Sequence, residues 1–135
     1  MKVAKHSSSE IAVILTNYER HGIRACILES WEALSDSEIS AQLGVDRGYL
    51  RSVIRYLGED ISYGANEGRS QSPTLTLIKI KDDEYHLIMS QQDVRLIIQC
   101  METALRRVAH WEFHLRTSVY PKEIKELLEK FQKLL

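Results

Sequence analysis

The stretch Leu34 to Leu57, LSDSEISAQLGVDRGYLRSVIRYL, constrains the fold more than any other part of the chain. Ser35 is a good N-cap, and Glu38 follows at the spacing from which a carboxylate reaches back to the cap's own N–H. Ile39 and Leu43 form the apolar stripe of a short helix. Gly44 ends it, because glycine takes the left-handed conformation cheaply. Val45 turns inward and Asp46 caps a second helix, whose Leu50, Val53, Ile54 and Leu57 fall on one face at the 3.6-residue period. Only a short turn fits between the two helices.

Glu38-Ile39-Ser40, Gly44-Val45, Leu50 and Val53 together resemble the helix-turn-helix of DNA-binding proteins, most closely that of bacterial regulators, with Ser40 where alanine is commoner. The resemblance implies that the second helix, residues 46–57, reads the major groove of double-stranded DNA. Net charge is −1, which by itself does not favour nucleic acid. Its distribution does, because Arg47, Arg51 and Arg55 recur every fourth residue and form one ridge opposite Leu50, Val53 and Leu57. Arg47, Arg51, Ser52 and Arg55 are therefore expected to face the groove, with Gly48 and Tyr49 near the backbone. Glu59 and Asp60 follow at once and would repel phosphate if they faced it.

Upstream, residues 1–7 read as a loose arm, and Ser7, Ser8 or Ser9 as the cap of a helix from Glu10 to His21 using Ile11, Ile14, Leu15 and Tyr18. Gly22 reads as a break, and Ile23 to Leu34 as a further helix with Trp31 in the core. Downstream, Ile61-Ser62-Tyr63 is strand-like and residues 64–73 form a polar loop rich in breakers. Thr74 to Ile80 and Tyr85 to Met89 alternate as strands around the charged turn Lys81-Asp82-Asp83-Glu84. Helices followed by a small antiparallel sheet extend the resemblance to a winged helix over residues 1–90. Two hairpins could be the wing; the 64–73 loop is preferred, because Arg69, with Asn66, Ser70 and Gln71, suits phosphate or minor-groove contact, whereas the acidic turn Lys81–Glu84 would be pushed away from DNA.

Ser90, with Asp93, caps a long helix striped by Val94, Ile97, Ile98, Met101, Leu105 and Val108, with Arg95, Arg106 and Arg107 off the stripe. Periodicity is unclear over residues 109–120. Pro121 opens a final helix with Ile124, Leu127, Leu128 and Phe131 on its apolar face. Residues 91–135 thus form a C-terminal helical extension, read as the element of a homodimer, since paired helices double the DNA contacts. The alternative is that these helices fold back on their own body. The fold class is mainly α with a small antiparallel β-sheet, a winged helix-turn-helix followed by C-terminal helices.

At 135 residues and 44% apolar, the chain is long enough for a core without disulfides. Cys26 and Cys100 lie in apolar stretches and read as buried thiols of a cytoplasmic protein. No segment approaches a membrane span or a signal peptide. His110 and His114 share a helical face but lack the Glu directly after the first His that a zinc protease motif uses, so no metal is expected. No phosphate loop, nucleophile elbow or CxxC is present, and neither an enzyme nor a cofactor is expected. The rival to a DNA-binding regulator is a winged-helix protein-interaction module, or a subunit of a larger complex, that never meets DNA.

Overall fold

A computed structural model describes residues 1–58 and 73–135. The strand read at Ile61–Tyr63, nearly all of the 64–73 wing loop, and Arg69 lie outside the described residues. The described residues are mainly helical with a small antiparallel sheet, as the patterning implies. The order is β1 (Lys2–His6), β2 (Ile11–Leu15), α1 (Asn17–Ala33), α2 (Asp36–Glu38) running on into a π-helical turn (Ile39–Leu43), and α3 (Arg47–Tyr56). Then come β3 (Thr76–Lys81), β4 (Glu84–Met89), α4 (Gln91–Arg107), α5 (His110–Thr117) and α6 (Pro121–Gln132).

The N-terminal reading is corrected. Residues 2–15 are a β-hairpin rather than an arm and a helix, and the sheet order is β1-β2-β4-β3, antiparallel throughout. Ile11, Ile14 and Leu15 satisfy a helical spacing, but IAVIL is a continuous run that also alternates. In the sheet Ile11, Val13 and Leu15 are buried, paired through Met89, Leu87 and Tyr85 of β4. Three β-branched residues in five favour that extended choice. Ser7 closes the hairpin turn instead of capping a helix, its N–H donating to the Glu10 carbonyl at 3.0 Å.

Helix α1 begins where Thr16 and Glu19 form a capping box. It continues through Gly22, so that glycine is not a break. A β-carbon there would stand 3.2 Å from Ile124 Cδ1 and 3.4 Å from Val119, so Gly22 lets the C-terminal segment approach α1. Only residues 17–21 of the first helix read here are helical, and they join the second in one helix of 17 residues.

Helix α4 packs along α1, and α6 packs on α4, so apolar residues on both sides of position 90 share one core. Ser30 links α1 to α4, its hydroxyl donating to the carbonyls of Cys26 at 2.9 Å and Cys100 at 3.1 Å. Both thiols are free and buried. Burial pushes Cys26 well above the ordinary thiol range and Cys100 up to about 12, which leaves both unreactive. The stripes of α4 and α6 that suggest a dimerisation element are buried within this chain, apart from the half-buried Leu105 and Leu128. No helix among the described residues is long and apolar enough to cross a membrane.

Candidate nucleic-acid interface

The α2–α3 unit forms as its local chemistry dictates. The Glu38 N–H donates to Ser35 Oγ at 3.2 Å, and Ser35 N–H to Glu38 Oε1 at 2.9 Å. Gly44 has φ 71°, and nothing lies within 4 Å of where its β-carbon would be. Its requirement is therefore conformational and not steric. Asp46 caps α3 by accepting the Tyr49 N–H at 2.7 Å. Ile39, Leu43, Leu50, Val53, Ile54 and Leu57 all enter the core.

What holds α3 to the body is an exchange of arginines with α1. Arg47 of α3 donates to the carbonyls of Trp31 and Leu34, at the C-terminal end of α1, and to the Asp36 carboxylate. Its guanidinium also lies 5.0 Å from the centre of the Trp31 ring. In return, Arg24 of α1 donates to the Ile54 carbonyl at 3.0 Å, and Arg20 to that of Leu57 at 2.6 Å. Those carbonyls belong to the last turn of α3 and its cap. Each helix thus satisfies the orphan carbonyls of the other, and the cations sit where both helix dipoles favour them. Arg20 is buried, steadied by Asn17 and by the Tyr85 ring 5.0 Å away.

The expected row of DNA-contacting side chains is therefore only partly assembled. Arg47 leaves the ridge: it is a clasp on α1, because three acceptors converge on its fork. Ser52 is fully buried and donates to the Gly48 carbonyl at 3.0 Å, so it does not face outward. Tyr49 is half-buried, and its hydroxyl accepts the Thr74 N–H at 3.3 Å, tying α3 to the approach to β3. Gly48 and Arg51 are exposed on the outer face of α3. Arg55 is half-buried and already engaged by another group of the protein. The acidic turn read at Lys81–Glu84 has a structural task, since Asp83 accepts the Asn17 N–H at 2.9 Å at the start of α1.

Two further basic residues come to the unit from far along the chain. Arg107 pairs with Glu38 at 3.2 Å, and the exposed Arg106 lines a cleft with Gln42 and Leu43. Their position off the α4 stripe was visible in the sequence, but their approach to α2 was not. Behind the turn, a cleft of about 440 Å³ is lined by Leu43, Val45, Tyr49, Thr74, Asp93 and Leu96. Its inner polar groups bond one another, Thr74 Oγ1 donating to Asp93 Oδ1 at 2.6 Å. Compared with known proteins, the chain matches no family model, no curated protein and no solved structure.

Proposed function

We propose that the chain is a sequence-specific DNA-binding regulator of winged helix-turn-helix type, working as a dimer, with α3 in the major groove. The observation that carries this reading is the pairing of α2 and α3 across a left-handed Gly44, with α3 locked at both ends and its outer face left to Gly48 and Arg51. Arg51 is the base-reading residue in this account, since a guanidinium can bond guanine through two donors. Gly48, with no side chain, lets the sugar-phosphate backbone come close to the start of α3.

Withdrawal of Arg47 lowers the electrostatic expectation. Three arginines in each of two copies would neutralise about six phosphates and give about a thousandfold loss of affinity between 50 and 200 mM salt. Two to four neutralised phosphates give about tenfold to a hundredfold over the same range. Fluorescence anisotropy with labelled duplexes across that salt range tests the reading. Arg51→Ala is expected to weaken binding at least about tenfold and to flatten sequence preference without changing the melting temperature. Absence of binding to any duplex at low salt and tens of micromolar protein overturns it, because even non-specific DNA binding registers there.

That outcome would favour the second reading, a protein-interaction module. Two observations speak for it: Arg47 and Ser52 are withdrawn from the outer face of α3, and Trp111 and Leu115 stand in solvent on α5.

A further inference from the structure

Helix α5 is held to the body by one face. Phe113 and Thr117 are buried, and Arg116 grips the nearly buried Glu29 of α1 through two bonds of 2.9 Å. The opposite face is bare: Trp111 is 75% exposed and Leu115 76%, one helical turn apart. His114 flanks Trp111 and stacks on Tyr120, itself 55% exposed, with ring centres 4.1 Å apart. Tryptophan is among the more buried residue types on average, so a tryptophan in this position needs an explanation.

The exposed apolar residues of the sheet differ in setting. Val3, Ile78 and Ile80 sit on the two edge strands, interleaved with Lys2, Lys5, Lys79 and Lys81. Lysines on edge strands are the usual guard against edge-to-edge association. The α5 face has no such guard.

We propose that α5 is a self-association surface, on which Trp111 of one copy packs against Leu115 of a second copy, and the reverse, across a two-fold axis. A two-fold axis that sets two helices antiparallel keeps each flank on its own side and reverses direction. Positions one turn apart then exchange partners, which makes Trp111 and Leu115 self-complementary. The flank behaves likewise. Glu112 and Arg116 lie one turn apart with opposite charges, 3.7 Å from each other, so Glu112 of each copy is brought toward Arg116 of the other.

Size supports a second copy as the occupant. Taking about 150–250 Å² for each large side chain, the exposed parts of Trp111, Leu115 and Tyr120 amount to about 400 Å². A standard interface covers about 800 Å² per partner, with an apolar centre and a polar rim. The patch therefore supplies the centre of such an interface, and the flanking charges supply part of the rim. This surface deepens the dimer in the DNA-binding reading, but it is measured without DNA.

Sedimentation equilibrium of the full chain, from about 1 μM to about 1 mM, is the test. A reversible monomer–dimer equilibrium is expected. Trp111→Ala and Leu115→Lys should each weaken it at least about thirtyfold, as central residues of an interface do. Circular dichroism and melting of the dilute monomer should not change, and Ile78→Lys on the sheet edge should leave the dimer intact. A chain that stays monomeric over the whole range overturns the proposal. So does a dimer that survives Leu115→Lys, or a monomer whose tryptophan fluorescence shifts on adding anionic vesicles but no longer does in Trp111→Ala, which would make the patch a membrane contact.

Discussion

Helices α3 and α5 are both short, of 10 and 8 residues, and both lean on α1 through arginine while leaving one face to solvent. They differ in what the arginines hold. At α3 the acceptors are mainly backbone carbonyls at helix ends, groups whose count does not depend on side-chain identity. At α5 the acceptor is the carboxylate of Glu29, with Glu32 a further 3.5 Å contact. The free faces differ too, with glycine and arginine on α3 and tryptophan and leucine on α5. A helix pinned at its start by its own arginine and at its end by its carbonyls presents its outer residues rigidly, as reading a groove demands. A helix pinned by one buried ring and one arginine has a bare apolar face that asks to be covered.

The largest expected effect breaks the α5 side of this comparison. Phe113 is almost fully buried and is the main apolar anchor of α5, so Phe113→Ala should cost about 3–5 kcal/mol in urea unfolding. Next comes Arg47→Ala, which leaves the Trp31 and Leu34 carbonyls without their donor. A loss of about 2–3 kcal/mol is expected, with Arg47→Lys recovering only part, because an ammonium cannot fork to three acceptors. If Arg47 served DNA instead, the same substitution would lower affinity and leave unfolding unchanged, so the pair of measurements separates the two roles. Gly44→Ala should cost about 1–2 kcal/mol, from the left-handed backbone alone, since the surrounding space is open.

The contrast between α3 and the N-terminal hairpin shows what a sequence can carry. Every signal that built the α2–α3 unit lies within a few residues of its partner: Ser35 with Glu38, Gly44 with its own φ, Asp46 with Tyr49. Those features were legible. The 11–15 run was misread because its structure depends on β4, about seventy residues or more away, and helical spacing and alternation fit five apolar residues equally well. Gly22 was misread for the same reason, since the side chain that needs its missing β-carbon is Ile124. The withdrawal of Arg47 was invisible in a different way. Spacing by four puts three arginines on one ridge, but it says nothing of the orphan carbonyls of α1 waiting beside the first of them. Ser52 was placed outward although it neighbours Val53 and Ile54 on the helix, and its bond to the Gly48 carbonyl let a hydroxyl be buried without an unmet partner.

The smallest expected effect concerns acid. The Ser35 N–H and hydroxyl, with Arg107 nearby, hold the Glu38 carboxyl below the ordinary glutamate value of 4.5. Burial alone would raise Glu19, but the Met1 amino group at 2.6 Å and the Thr16 N–H outweigh it, and Glu19 too is lowered. A carboxyl depressed in the folded state stabilises it fully above the unfolded value and loses that contribution as pH falls through the folded value. Both capping boxes should therefore weaken below pH 4.5, which loosens the starts of α1 and α2. Helix α5 has no such contribution at its start, because Ala109 offers no capping side chain. Glu38→Gln keeps a side chain able to cap but unable to titrate. Its melting temperature should lie slightly below that of the parent at pH 7 and converge with it as the pH drops below 4.5. A gap between the two that widened in acid would mean that Glu38 is held by its protonated form, and the capping geometry at the head of α2 would then be wrong.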